Sequence, residues 1–303
     1  QQVTFEELSY QSKGDNKLGI LKLDVDNLGY IFGFGLKDNK TISRITTLSR
    51  MMGIYFEGYI NKLIEKKGMK NAIYVVYSGG DDTFLIGPWD KVIDLTEDFY
   101  NKFREYTCYN NKITFSAGIG IFRYDYPVIR SINIVEESLE EAKNFLYEEE
   151  ITPSKNKVNV LGEVFNWEEF RRIRNVQNLL IETIEAGKDR EGNNGTGKAL
   201  LYKIERSTIG FKKILEDSNK GKVDNLRFWR LAYYLKEVKN MDIAKGTNFA
   251  ESIIEEYRSI VLNNLLDKNK DKNIRNIMII PVATKLAQME IRNIKERLTW
   301  EER

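Results

Sequence analysis

The sequence predicts an α+β fold: a sheet in βαββαβ order over residues 1–162, then an α-helical bundle over residues 163–303. Three observations carry this. Residues 74–86 place two runs of β-branched, aromatic and aliphatic residues on either side of Ser78-Gly79-Gly80-Asp81, the pattern of a tight hairpin. Residues 18–25 form another such run, separated from the hairpin by apolar residues at helical spacing: Ile45, Leu48, Met52, Tyr55, Phe56, Tyr59 and Leu63. From about residue 167 onward only helical periodicity remains.

Residues 1–17 read as a lead-in, a short amphipathic turn and then the polar loop Ser12 to Lys17. The first strand ends in Asp24 and Asp26, which lie two apart and so share a face of the sheet. The helix that follows spans about Thr41 to Lys67. Strand, helix, strand and hairpin then give a right-handed crossover, with the first two strands parallel and the third inserted between them. Pro88 to about Thr107 reads as a helix with Val92, Leu95, Phe99 and Phe103 on one face. Ile113 to Phe122 alternates large with small residues, as a strand under close backbone approach does. That strand completes a βαββαβ, ferredoxin-like palm; a helix from about Ile129 to Tyr147 and a strand from Val158 to Leu161 follow, and the unit closes near Gly162.

In this arrangement the end of the first strand lies beside the hairpin tip, so Asp24, Asp26, Asp81 and Asp82 converge. Turns favour Asp, and a solvated tip is the plain account of Asp81 and Asp82 taken alone. Four gathered carboxylates repel one another, and a Mg²⁺ ion holding phosphate oxygens is the usual reason to tolerate that. The unit therefore reads as a nucleotidyl-transfer palm of the nucleotide cyclase/polymerase kind. Asn27 either hydrogen-bonds phosphate or base, or caps the next turn. Ile31 to Leu36, rich in aromatic and glycine residues, forms either the floor of a nucleotide pocket or packing beneath the loop.

Asp24-Val25-Asp26-Asn27-Leu28-Gly29 together with Tyr77-Ser78-Gly79-Gly80-Asp81-Asp82 resembles the second palm domain of the large subunit of type III-A CRISPR effector complexes. Ser43-Arg44, Ile86-Gly87-Pro88-Trp89-Asp90 and Ser116-Ala117-Gly118 agree with it. The resemblance is strong over residues 1–162 and weaker beyond. It implies conversion of ATP to cyclic oligoadenylates with Mg²⁺ or Mn²⁺, Asp24 and Asp81 as the main metal ligands, and Asp82 and Asp26 assisting. Ser78, Gly79 and Gly80 would let the backbone approach the nucleotide, and Lys143, in an Ala-Lys pair on its helix, would reach the triphosphate; a solvated helix-surface lysine is the plainer account. Lys155 and Lys157 are further candidates for that work. The resemblance also implies other effector subunits, guide RNA and target RNA as partners, a chain that continues upstream with a nuclease domain and a first palm, and an ATP pocket built from two palms. A diguanylate cyclase shares the palm, but its Glu-Phe is replaced here by Asp82-Thr83, and Asn71 to Tyr74 stands where its inhibitory Arg-x-x-Asp belongs. A non-catalytic scaffold that docks other subunits is the remaining alternative.

Composition narrows the field. Among 303 residues, 47 basic and 45 acidic side chains leave a net charge of +2, so any RNA contact is local. Histidine is absent, which removes histidine bases and His-Asp metallonuclease chemistry from this chain. The single cysteine, Cys108, reads as a core residue in a reducing compartment. No apolar run approaches the roughly 20 residues that cross a bilayer, and no signal peptide opens the chain, so a cytoplasmic protein is expected.

Helices are expected at about 167–186, 198–217, 224–240, 248–266 and 274–297. The third, with Trp229 and Tyr233, is apolar all round and reads as central. Pro281 kinks or starts the last. Arg171, Arg172 and Arg174 either meet RNA or a neighbouring subunit, or are simply solvated. Gly192 to Lys198 nearly spells a phosphate-binding loop, but Ala199 lacks the hydroxyl and no buried strand precedes it, so a plain inter-helix loop is expected.

Overall fold

The computed structural model describes residues 3–37, 40–147, 150–186, 195–213, 233, 251–252, 255 and 274–292. The chain divides into two compact units, the first running to Trp167 and the second covering Glu168–Asn293.

The first unit opens with α1 (Phe5–Tyr10), whose start is fixed by a capping box in which Thr4 and Glu7 satisfy each other's backbone N–H groups. Strand β1 (Leu18–Val25) leads through the short α2 (Leu28–Tyr30) and a π-helical turn (Ile31–Gly35) to α3 (Ile42–Gly53), a second π-helical stretch (Ile54–Tyr59) and α4 (Ile60–Lys66). The hairpin follows as β2 (Tyr74–Gly79) and β3 (Asp82–Pro88), then α5 (Trp89–Tyr106), β4 (Phe115–Phe122), α6 (Val128–Asn144), β5 (Lys157–Val160) and β6 (Glu163–Asn166).

The six strands stand in the order β2-β3-β1-β4-β5-β6. Strand β3 runs antiparallel to both β1 and β2, so β1 and β2 are parallel with the third strand between them, as the crossover argument requires. One difference concerns the far edge. Leu161 and Gly162, both at positive φ, turn the chain into β6, so the sheet and the first unit extend past the boundary expected at Gly162. Four residues with a single buried aromatic gave too short a pattern to read as a strand.

One face of the sheet is covered by α5 and the buried π-helical residues. Tyr55, Phe56, Phe99, Phe103 and Phe115 are fully buried, each contributing about 1.5–3 kcal/mol. The Tyr55 hydroxyl donates to the Phe99 carbonyl at 2.6 Å. On the other face, α1 and α6 cover Leu18, Ile20, Phe84 and Ile86. Helix α6 comes unusually close because β4 offers Gly118 there. A Cβ at that position would stand 2.6 Å from the Leu139 nitrogen, which a side chain could not tolerate. Lys22 of β1 reaches across to Glu136 of α6 at 2.6 Å, and Val135, Leu139 and Ala142 are buried beneath the helix.

Cys108 departs from its expected place in the core. It is exposed, at φ 50, where with Tyr109 it ends α5 in the left-handed region.

In the second unit α7 (Trp167–Ala186) and α8 (Gly195–Thr208) precede a 3-10 turn (Ile274–Met278) and α9 (Ile279–Glu290). Pro281 lies in the first turn of α9, where its missing N–H has no intrahelical partner to lose. Arg174 donates to Gln177 at 2.6 Å and Gln177 to Glu290 at 2.8 Å, so this arginine belongs to an internal chain of bonds, whereas Arg171 is exposed. Of the phosphate-loop look-alike, Gly195 to Lys198 open helix α8 instead of forming the plain loop expected, and Gly192 to Asn194 lie outside the described residues; the described element before it is helix α7, not a strand. Of the expected central helix, Tyr233 is described, and it is helical and 71% exposed; the rest of 224–240, and most of 248–266, lie outside the described residues. No helix among the described residues is long and apolar enough to cross a membrane.

Candidate active site

The site forms at the carboxyl end of β1. In the register of β1 with its neighbours, Asp24 lies directly opposite Asp82 on β3 and opposite Ser116 on β4. Residues opposite one another share a face, so Asp24 and Asp82 project to the side that α6 covers. Asp81 sits in the turn, tied to β1 by a 3.0 Å bond from the Val25 N–H to its carbonyl. The turn needs Gly80, whose φ of 63 a residue with a side chain seldom adopts.

Lys143, near the end of α6, places its Nζ 2.7 Å from Asp24 Oδ2 and 3.4 Å from Glu140. The close approach of α6 at Gly118 makes that reach possible. Burial pulls this ammonium down, but the hydrogen bond and charge of Asp24 outweigh it and hold Lys143 above its ordinary value. The Asp81 carboxyl is pushed up, first by burial and then by the charges of Asp24 and Asp82. Tyr77 donates its hydroxyl to Asp82 Oδ2 at 2.8 Å and stacks on Phe84. Burial, then the bond to Asp82, raises the phenol and keeps it a donor.

Asp26 differs from the other three acids in its burial and its bonding. It does point to the same face as Asp24, but it is only 2% exposed and both its oxygens are engaged. Ser116 donates to Oδ1 at 2.8 Å, and Thr114 and the Asn156 N–H donate to Oδ2 at 2.8 and 2.9 Å. A metal at this carboxylate would compete with that network and with its burial. Burial raises the carboxyl despite those three bonds. Spacing of two residues fixes a face, not a depth, and the partners of Asp26 lie far away in sequence. As placed, no three acidic or cysteine side chains among the described residues stand close enough to hold an ion.

Ser78 has a structural task. Its hydroxyl donates to the Phe56 carbonyl at 2.5 Å and stands 2.8 Å from Thr83 Oγ1, which therefore donates to it. The π-helical winding releases that carbonyl from α-helical pairing. Gly79 lies against Glu57 of the same stretch, where an added Cβ would be 3.4 Å from the carboxylate. Asn27 occupies the N-cap of α2 in the left-handed region, exposed and without a side-chain capping bond. Ile31, Phe32 and Gly33 are half-buried, while Tyr30 and Phe34 stand 5.1 Å apart, each 67% exposed. Lys157 is 1% exposed and turned inward, which removes it as a triphosphate ligand; Lys155, at φ 54, is half-buried.

A split sheet with paired acids at the end of its first strand and at a glycine hairpin defines a palm of the nucleotide polymerase and cyclase class. Residues 17–152 match the family model described as Cas10/Cmr2, second palm domain. Five curated relatives, all Cas10/Csm1 of subtype III-A, match the chain. The chain carries the palm of the Cas10/Csm1 family, the large subunit of type III-A CRISPR complexes.

One relative, from Methanocaldococcus jannaschii, is the "CRISPR system single-strand-specific deoxyribonuclease Cas10/Csm1 (subtype III-A)". It is 42% identical over 175 residues, 54% of this chain and 22% of its own length. The Mycobacterium tuberculosis protein of the same name is 32% identical over 226 residues, 67% of this chain and 26% of its own. Among solved structures, the apo Csm1–Csm4 cassette matches with a TM-score of 0.69 and 25% identity over 95% of this chain and 38% of that one. The cassette in complex with cA4 matches with a TM-score of 0.66 and 25% identity, over the same shares. The chain thus spans between a fifth and about a quarter of the length of the curated relatives.

Proposed function

We propose that this palm performs nucleotidyl transfer on ATP and, within a type III-A effector complex, builds cyclic oligoadenylates. The observation that carries the reading is the pairing of Asp24 with Asp82 across adjacent strands, with Asp81 in the hairpin turn beside Asp82 and Lys143 Nζ at 2.7 Å from Asp24. Solved relatives in complex with nucleotides support it: Csm1–Csm4 cassettes with cA4, cA3, pppApA and AMPPNP, at 25–27% identity.

In the proposed step, a ribose 3′-hydroxyl gives its proton to water as its oxygen bonds to the α-phosphorus of the next ATP, the bond from that phosphorus to the bridging oxygen breaks, and pyrophosphate leaves with the electron pair. In donor type Asp24, Asp81 and Asp82 suit Mg²⁺ or Mn²⁺, being hard oxygen donors, and burial first, then the charges of Asp24 and Asp82, raise the Asp81 carboxyl. A bound ion supplies stabilisation of charge on the entering and leaving oxygens. Lys143 is placed to donate to phosphate oxygens. Tyr77 orients Asp82, and Ser78 anchors the hairpin to the helix beneath it. By the same reading the palm works beside a first palm and a Csm4-type subunit and answers to guide and target RNA.

The test is to incubate the ribonucleoprotein containing this chain with target RNA, ATP or GTP, and Mg²⁺ or Mn²⁺, and to weigh the products. Cyclic adenylates from ATP are expected. Cyclic dinucleotides from GTP, or no condensation at all, would sink the proposal.

A further inference from the structure

We propose that Lys157 is a positioning residue, whose buried ammonium holds the end of α6 against the sheet and so sets Lys143 opposite Asp24. The proposal rests on the triphosphate role assigned to Lys143 above. Lysine is almost never fully buried unless its charge is met. Here each of the three ammonium protons has an acceptor: the Phe145 carbonyl at 3.0 Å, Glu150 Oε2 at 3.0 Å and Ser154 Oγ at 2.9 Å. The Tyr147 ring stands 5.1 Å from Nζ, and the Tyr147 hydroxyl accepts from the Asn166 N–H at 2.8 Å.

Phe145 is the residue at which α6 ends, turning to extended backbone at ψ 130, two positions after Lys143. The bond to its carbonyl therefore fixes the last turn of the helix. The other end of Lys157 is equally constrained. Its backbone N–H lies 3.4 Å from Ser116 Oγ, which donates to Asp26, and the preceding N–H, of Asn156, donates to Asp26 directly. The contacts close a ring: Asp24 to Lys143, along α6 to Phe145, through Lys157 to Ser116 and Asp26, and back along β1. Burial alone would raise the Glu150 carboxyl, but the bonds from Ser154, Lys157 and the Tyr147 N–H outweigh it and hold it below its ordinary value, as a permanent counter-charge should be. A methionine would fill the same space without the cost of burying a charge, so the ammonium contributes a defined geometry that apolar packing does not.

The experiment uses the full chain with Lys143→Ala, Lys157→Met and the double variant. Calorimetry measures ATP and AMP binding, and ¹³C-lysine NMR follows the Lys143 Cε resonance. Lys157→Met is expected to weaken ATP about tenfold, the scale of one charge-assisted contact, with AMP changed less than about twofold. In the Lys143→Ala background it should add less than about twofold, since the two act as a unit. The Lys143 resonance should move toward its position in Asp24→Asn. An unmoved resonance, or an equal ATP loss in both backgrounds, overturns the proposal. A moved resonance with ATP binding indifferent to Lys143→Ala upholds the positioning and refutes the triphosphate role instead. Should Lys157→Met fail to melt cooperatively, Glu150→Gln and Ser154→Ala take its place, with the same sign expected and the same outcomes decisive.

Discussion

Lys143 and Asp24 meet at 2.7 Å although one ends a helix and the other ends the first strand. The side chains are only 16% and 25% exposed, so the pair is more than a surface ornament, yet it sits at the rim of the sheet. Replacing Lys143 by Ala should weaken ATP binding by tenfold or more while changing stability by no more than about 1 kcal/mol. Calorimetric titration beside thermal melting separates the two effects. A loss of stability without a loss of affinity would assign the lysine to the fold alone.

Asp81→Ala with Asp82→Ala should abolish oligoadenylate synthesis and leave the fold intact. Both acids are only partly buried at the hairpin tip, so no core volume is lost, and less repulsion reaches Asp24. RNA binding by the complex should be retained. Product mass, RNA retention and melting are compared with the parent, and synthesis near the parent rate would place the active site elsewhere.

Asp26 makes the opposite prediction. Asp26→Ala strands the hydroxyls of Thr114 and Ser116 and the N–H of Asn156 in a buried site, and should cost about 2–4 kcal/mol. Asp26→Asn keeps an acceptor for the N–H, and the hydroxyls can reorient, so it should cost far less. Denaturant unfolding checks the order. Equal losses in the two variants would mean that shape, not hydrogen bonding, holds this corner.

Asp90 supplies a pH dependence away from the site. It is 6% exposed in the first turn of α5, and burial, above all, raises its carboxyl despite backbone bonds from Lys13 and its own helix. A folded value above the unfolded one means the native state binds the proton first. The charge penalty is therefore present at neutral pH and is relieved as pH falls through the raised value toward about 3.9. Asp90→Asn should match or exceed the parent in melting temperature at pH 7, and that advantage should shrink toward pH 4. An advantage that grows on acidification contradicts the assignment.

These residues also mark what was legible in the sequence. Asp24, Asp81, Asp82 and the split strand order followed from two-residue periodicity and a glycine turn, both local signals. Lys143 carried no signal of its own on a helix with acids all around it, and only the family resemblance singled it out. The burial of Asp26 and Lys157 was hidden because it is made by residues 88 to 130 positions away in one case and by a loop closing on itself in the other. The π-helical stretch was read as plain helix, since one extra residue per turn disturbs the apolar spacing too little to notice over a short run.

That stretch has a consequence for how the molecule can vary. A π turn inserted between α3 and α4 advances the helix by one residue, about 100° of rotation, relative to an unbroken α-helix. The largely exposed Ile42–Gly53 segment and the buried Tyr55–Phe56 pair are thereby phased independently. Substitutions along the outer helix can accumulate without touching the aromatic seat of the hairpin, whereas deletion of one residue between 54 and 59 would rotate that outer face, return the Phe56 carbonyl to the helix and leave the Ser78 hydroxyl with Thr83 alone. Tolerance to exchange and intolerance to deletion should meet at this one joint.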